Sequence, residues 1–470
     1  MSVAPTPNAS GPDPVASDRP SPWAVFRLTA IAVFLVSLDA TVVLAAFPAL
    51  RTAFPGTSPA ELSWVINAYT IVYAALLVPA GRLADLHGRK RLFLVGLAGF
   101  GLGSLLCALA PGPMSLVAAR ALQAAGASLL TPASLALILE AFPVSKRAVA
   151  VSLWGAVGAM AAAVGPALGA WLIVWTSWPW VFLINVPIVA WAGWRSQRRL
   201  LESVSPAEGA RTDGVGIALV VTAVGLMVLG IVQLEHWSLR SSLLASGAGV
   251  ALLVAFVLWV RGRESGALDL RLFADRSYRW VNVATFVFGA SFTMMFLAFF
   301  LFLTGVWRYP LGWAGLAVTP GPLAVVPTAV VAGRLAARLG HRPLLVAGGA
   351  VFAASNLWFL ARLGAEPAFL ATWLPGMLLG GIGVGLVLPA LSGAAVASLG
   401  PQQFGVGNAT NSAIRQIGSA FGAAATVLMV GDPASGLPAF QTVYAALAAG
   451  GLLTGLACLP VDTRPRRSPC

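Results

Sequence analysis

Charge is scarce in this chain. Asp, Glu, Lys and Arg together make up 10% of 470 residues, where a soluble domain carries roughly a quarter. With 58% of residues hydrophobic, a soluble protein would lack the polar surface to face water. Cysteine and histidine are as scarce, three of each. Cys107, Cys458 and Cys470 are too few and too scattered for a disulfide framework or a metal site, and the first two read as small packing residues. His87, His236 and His341 lie far apart in loops. No His/Cys cluster has metal-ligand spacing, and no Gly-rich phosphate loop ends in Lys-Ser/Thr. We therefore expect no resident metal, no cofactor, no catalytic residues and no enzymatic activity.

What is abundant points to a bilayer. Glycine (50), proline (32) and tryptophan (16) suit membrane helices, in which Gly and Pro are more frequent than in soluble ones. The net charge of +13 forms no basic face, because Lys and Arg sit in short loops between apolar runs. That distribution is a topology signal and argues against a nucleic-acid partner.

A span needs about 20 mainly apolar residues. Such runs occur at 24–47, 62–81, 91–110, 114–139, 148–173, 180–194, 214–235, 242–260, 281–304, 313–333, 343–361, 370–396, 407–430 and 439–459. The sequence thus predicts an all-α integral membrane protein with fourteen transmembrane helices. With both termini cytoplasmic, 23 of the 29 Lys and Arg residues fall inside. Four (Arg51, Arg240, Arg308, Arg362) fall outside, and Arg120 and Arg415 fall within spans. An error of one helix would scramble that asymmetry. Residues 1–22 are rich in Pro, Ser and Ala and read as a disordered tail. They lack the features of a cleaved leader.

The chain also repeats. Gly81-Arg82-Leu83-Ala84 after span 2 recurs as Gly333-Arg334-Leu335-Ala336 after span 10, an offset of 252 residues. Thr131-Pro132-Ala133-Ser134-Leu135 in span 4 matches Leu388-Pro389-Ala390-Leu391-Ser392 in span 12 at an offset of 257. Two six-helix pseudo-repeat bundles (23–200 and 266–460) plus a central extra helix pair within a 201–265 linker, and a tail at 461–470, explain those offsets. Parallel repeats of this kind bind substrate between the halves near the midplane.

Ionisable residues inside a span are expensive and mark pathways or relays. Asp39, Arg120 and Arg415 are the clear cases, with Glu140 and Glu235 nearer helix ends. A carboxyl at Asp39 can bind and release a proton as its surroundings change; it can equally serve as a structural partner for an arginine. Arg120, with Gln123 one turn on, either tunes that acid, contacts substrate, or bolts helices together. The repeat offsets put Met377 opposite Arg120 and Ser291 to Thr293 opposite Asp39, so coupling is expected in the first half and cavity shaping in the second. Gly81, Arg82, Asp85, Gly88, Arg89, Lys90 and Arg91 form a charged hairpin that suits a latch between halves. A positive-inside anchor explains its basic residues but not Asp85. The glycines at 81 and 88 are expected to permit its tight turn. Gly165, Pro166 and Gly169 in span 5 form a small, bent packing face. Tyr69, Tyr73, Phe292, Phe296, Phe299 and Phe300 pack helices or line a greasy cavity, and packing is the expectation for each. Trp175, Trp178 and Trp180 read as an interfacial belt.

These motifs resemble the major facilitator superfamily, specifically its fourteen-span drug:proton antiporters of the multidrug efflux type. The 81–91 hairpin is similar to that superfamily's signature loop. Leu38-Asp39-Ala40-Thr41-Val42-Val43 with Pro48, Arg120 through Gly126, Gly165 through Gly169, Trp178 through Pro187 (with Phe182 and Asn185), and Asn411 through Gly418 resemble further motifs of that branch. The resemblance covers nearly the whole chain. It departs at Leu44, Ala124 and Ala170, where the family carries Asn, Gly and Gly. It implies a monomeric cell-membrane exporter of small amphipathic compounds in exchange for protons, with Asp39 and Arg120 coupling. Gln123, Asn411, Arg415 and Gln416 are the polar pathway candidates. An importing facilitator or symporter, and a non-transporting sensor, are the alternatives. The Gly-Pro stretch of span 5 opposes the first, and the lack of a soluble domain opposes the second.

Overall fold

A computed structural model describes residues 20–57, 59–203, 213–233, 237–261, 270–397, 399–400, 403–430 and 436–463. Among them all regular structure is helical. In hydrocarbon each backbone N–H and C=O must be satisfied within its own segment, which leaves the helix as the economical solution for apolar runs. The first group is α1 (Pro22–Ala53), α2 (Pro59–His87), α3 (Arg89–Ala108), α4 (Pro113–Ala141), α5 (Val144–Trp175), α6 (Trp180–Leu183) and α7 (Asn185–Arg199). A pair follows, α8 (Gly214–Val232) and α9 (Leu239–Val260). The second group is α10 (Arg276–Gly305), α11 (Leu311–Val318), α12 (Pro320–Leu339), α13 (Arg342–Arg362), α14 (Leu374–Ala397), α15 (Phe404–Val430) and α16 (Leu437–Ala457). Eleven helical stretches among the described residues are long and apolar enough to cross a membrane.

Caps mark where chains enter the apolar layer. Ser21, Asp213, Ser238 and Asp275 each accept a hydrogen bond from a first-turn N–H of α1, α8, α9 and α10, satisfying donors a helix start leaves orphaned. Three expected spans are interrupted, each beside a proline. The sixth splits at Ile184 because Pro187 has no N–H for the Leu183 carbonyl and its ring crowds it. The tenth splits at Thr319, where Pro320 opens α12. The twelfth begins with a π turn at Phe369–Trp373 just before Pro375. The first span is longer than the apolar run suggested, continuing to Ala53.

Within the first group α1 packs on α5 and α4, and α3 on α4 and α7. In the second, α10 packs on α15 and α16, and α14 on α12 and α13. The groups meet along two seams, α5 against α12 and α14, and α2 and α4 against α15. Helix α8 lies over the second seam, touching both α2 and α15, while α9 packs chiefly on α8. Outward-facing residues such as Val95, Leu102, Leu243 and Leu258 are exposed and apolar, as a lipid-facing surface requires. Small residues and polar side chains are drawn inward to hold the helices together.

Candidate functional site

Deep in the first group, residues from five helices form one polar knot. Asp39 of α1 and Arg120 of α4 are both fully buried and paired directly, Arg120 Nη1 donating to Asp39 Oδ2. The same guanidinium donates to Gln123 Oε1 (2.7 Å) and, through Nε, to the Val65 carbonyl of α2 (3.0 Å). Gln123 Nε2 donates in turn to Asp39 Oδ1 (2.8 Å) and Ser104 Oγ (2.7 Å). Asn185 at the start of α7 donates to Asp39 Oδ1 and to Ser104 Oγ, each at 3.3 Å. The Tyr69 ring lies 4.1 Å from the Arg120 guanidinium carbon, a cation–π contact. An unpaired charge here would be very costly, and the pair survives because nearly every lone pair and N–H has a partner. Two buried atoms remain unpartnered, the Tyr69 hydroxyl and Asn185 Oδ1.

The knot explains a glycine. A Cβ on Gly165 of α5 would collide with Thr41 Oγ1 and sit 3.1 Å from the Leu38 carbonyl. Bare backbone there lets α5 lie directly on the stretch of α1 that carries Asp39. Gly169 is buried on the same helix, whereas the side chains of Leu44, Pro166 and Ala170 lie outside those described.

Immediately beyond α1 lies a cavity of about 240 Å³. Ala40 and Thr41 of α1 and Ala162 of α5 form one wall. Phe292, Phe296 and Phe299 of α10, Val325 of α12 and Met377 of α14 form the other. No ionisable side chain among the described residues lines it. Three aromatics expected to pack helices thus face an opening, while Tyr69 and Tyr73 are buried among helices. The rotation of α10 decides that, and apolar periodicity cannot report it when both core and lipid are apolar.

At the α2–α3 turn, Asp85 is buried and Arg89 donates to its Oδ1 from Nε (3.3 Å) and Nη2 (3.1 Å). Arg89 Nη1 reaches Glu140 of α4 at 3.0 Å. The other oxygen, Asp85 Oδ2, accepts the Val406 backbone N–H in the first turn of α15 (3.2 Å), so this carboxylate joins the two groups. Arg147 of α5 sits over the Phe404 ring at 5.4 Å, a second contact between them. Arg82 is half-buried on α2 and forms no ion pair among the described residues. Gly81 lies inside α2 rather than at the turn, which corrects the expectation that both glycines shape it. Gly88 alone does so, with φ of 104°.

The remaining pathway candidates separate. Asn411 is buried and donates to Asn282 Oδ1 (3.0 Å) and Thr285 Oγ1 (2.8 Å) of α10, so it ties α15 to α10. Arg415 and Gln416 are partly buried in the middle of α15. Asn185, Ser104 and Tyr69 join the Asp39 knot although sequence reading had not grouped them with it. Glu202 is a second omission. Its carboxylate accepts the Lys90 and Arg91 backbone N–H groups, each at 3.0 Å, and caps α3. No spacing rule connects it to the turn, and only Asn185 carried a signal, its place in the Trp178–Pro187 motif. Glu235 and His236 lie outside the described residues.

Known proteins share both sequence and fold. Residues 29–304 match the family profile of the Major Facilitator Superfamily. The chain is 34% identical over 417 residues to the cephamycin export protein CmcT of Amycolatopsis lactamdurans, covering 88% of this chain and 86% of that one. It is 34% identical to the puromycin resistance protein pur8 of Streptomyces alboniger, covering 90% and 84%. To the probable actinorhodin transporter of Streptomyces coelicolor it is 32% identical, covering 88% and 73%. The crystal structure of the human organic anion transporter MFSD10 (TETRAN) superposes with a TM-score of 0.67 at 16% identity, over 94% of this chain and 100% of that one.

Proposed function

The chain belongs to the Major Facilitator Superfamily, and on that footing we propose that it exports small amphipathic compounds in exchange for protons. As a member of that family it is a multi-pass membrane protein that moves small-molecule substrates. The roles of its relatives, cephamycin export and puromycin resistance, support the outward direction and an antibiotic or self-made metabolite as cargo.

The observation that carries the coupling is the position of Asp39. Its carboxylate is locked to Arg120 on one side of α1, while the neighbouring Ala40 and Thr41 line the cavity on the other. Protonation of Asp39 would remove the charge that holds Arg120 and loosen α1 from α4. Because α1 is also a cavity wall, that release would change the cavity's shape. Alternating proton and substrate occupancy then drives alternating access between halves. Asp85 serves as the latch on the cytoplasmic side, gripping the α15 N-terminus where positive dipole and free N–H groups favour a carboxylate. The wider reading is a monomer in the cell membrane with both termini cytoplasmic. It has fourteen spans, counting α6–α7, α11–α12 and the π turn with α14 as one each. Bundles at 23–200 and 266–460 flank the 201–265 segment that carries the extra pair.

The test is accumulation of lipophilic dyes, one cationic and one anionic, in energised everted vesicles, with and without a protonophore. Wild type should accumulate dye, and both protonophore and Asp39→Asn should abolish it. Protonophore-sensitive uptake that survives Asp39→Asn would move the coupling site elsewhere. Substrate movement only into right-side-out vesicles would replace export with import.

A further inference from the structure

Three arginines lie in the helical core, and two have partners. Arg120 holds Asp39 and Arg89 holds Asp85 and Glu140. Arg415, in the middle of α15, has neither an ion pair nor a side-chain hydrogen bond among the described residues. A titratable group that interacts with it is the Tyr73 hydroxyl of α2, itself hydrogen-bonded to Thr131 at 2.8 Å. A guanidinium cannot shed its proton, and a charge within a membrane span is costly. Such a residue needs either a partner that comes and goes or water. Arg415 is partly buried as a residue, and no carboxylate among the described residues faces it.

Its location adds the second element. The Arg415 backbone and Cγ pack on Gly289 of α10, where a Cβ would sit 2.7 Å from the Arg415 carbonyl and 3.2 Å from Cγ. One turn further along α10, about 5.4 Å, come Phe292 and Thr293, then Phe296, all lining the cavity. That cavity is lined by aromatic and small apolar groups and two threonines, with no charged side chain among the described residues. The α15 segment that carries this cation therefore lies one helical turn along α10 from the aromatic pocket, in the seam between α10, α15 and α2.

We propose that Arg415 is the counter-ion for the substrate, and that the transported compound is an amphiphile with one oxyanion head, carboxylate or sulfonate, on an apolar aromatic body. The planar fork of the guanidinium suits a two-oxygen head, while the Phe292–Phe296 wall takes the body. The proposal deepens the exporter reading and rests on it for the word substrate; the binding site itself does not depend on it.

The test is equilibrium binding to the purified full-length protein in lipid nanodiscs, with empty discs as background. The probes are naphthalene-2-sulfonate and the neutral naphthalene-2-sulfonamide, which share a body and differ in charge. Wild type should bind the sulfonate more tightly than the sulfonamide. Arg415→Gln should weaken the sulfonate by about tenfold, the scale of losing a hydrogen bond to a charged group, and leave the sulfonamide within about twofold. Arg415→Lys should fall between, keeping charge but not fork. A parallel loss for both probes would make Arg415 a packing residue, and an unchanged sulfonate affinity or a wild type without preference for it would equally overturn the assignment. Dye uptake in vesicles separates the two readings. Selective sulfonate binding without proton-driven transport sinks the exporter and keeps the site; transport without that binding does the reverse.

Discussion

The two helix groups share a plan and differ where it matters most. Around Asp39 and Arg120 the first group buries a hydrogen-bonded ion pair. At the matching offsets the second group has Ser291 to Thr293 and Met377, and there Thr293 and Met377 line the cavity. One half has filled the position with charge and closed it; the other has emptied it of charge and left it open. On the proposed reading the difference divides labour between the halves. A proton-sensitive switch needs a sealed low-dielectric setting, where adding one proton changes much. A binding pocket for varied apolar compounds needs space and forgiving contacts. Helix α1 connects them, since Asp39 and Thr41 lie about 200° apart around a helix of 3.6 residues per turn.

The sharpest way to break the comparison is to give the first half the second half's residue. Arg120→Met puts at 120 what its counterpart carries, and it leaves Asp39 buried without its cation. Breaking a buried pair by removing one partner costs about 3–5 kcal/mol. Thermal unfolding of the solubilised variant should show a loss of that order, with vesicle transport abolished. Asp39→Asn combined with Arg120→Met should recover most of the stability and none of the transport. If the double variant is as unstable as the single one, the knot is held by its neutral hydrogen bonds and the ion pair is incidental.

Much of this was legible before any coordinates. Sparse charge, the positions of Lys and Arg, and the repeated Gly-Arg-Leu-Ala segments pointed to a helical membrane bundle with internal repetition. Asp39, Arg120 and Gln123 stood out because charge inside an apolar run is conspicuous. What stayed hidden depended on rotation or on the backbone. The Val406 N–H that meets Asp85 is common to nearly every residue type and leaves no trace in sequence. The cavity face of α10 could not be separated from its other faces. Asn411 and Arg415 looked alike as polar residues on one helix, yet one is satisfied by α10 and the other has no partner among the described residues.

A second contrast sits at the turns. Arg89 pairs with Asp85, and at the same 252-residue offset stand His341 and Ala337, which has no charge to offer. His341 is buried; its backbone N–H (2.9 Å) and its Nδ1 (3.0 Å) both meet Thr463 Oγ1. The hydroxyl can accept from the backbone and donate to a bare Nδ1, which suits a neutral ring. Burial pushes the imidazole pKa down from 6.5 to about 4. The unfolded chain therefore binds a proton between those values that the folded protein refuses, so stability falls as pH drops from 6.5 toward 4. By linkage the full effect is about 3 kcal/mol. Unfolding of the purified protein across that window should show the decline, and His341→Gln should flatten it. A wild-type stability that stays level there would mean that His341 is hydrated in solution.

The smallest effect tests the resemblance between those turns. Gly88 and Gly340 occupy matching positions and both have positive φ, 104° and 77°. Left-handed backbone costs an L side chain about 1–2 kcal/mol, so Gly88→Ala and Gly340→Ala should each destabilise by that order. The two should not be equal. A Cβ at 88 would sit 2.6 Å from Glu202 Oε1, on the carboxylate that caps α3. At the other turn the clamp is Thr463, which reaches the chain through the His341 N–H. Gly88→Ala should therefore lose more than Gly340→Ala in thermal unfolding. Glu202→Gln, which keeps the shape but weakens the cap's charge, should narrow the gap. Equal losses would mean that Glu202 swings aside at little cost, and that the turns are equivalent in energy as well as in backbone.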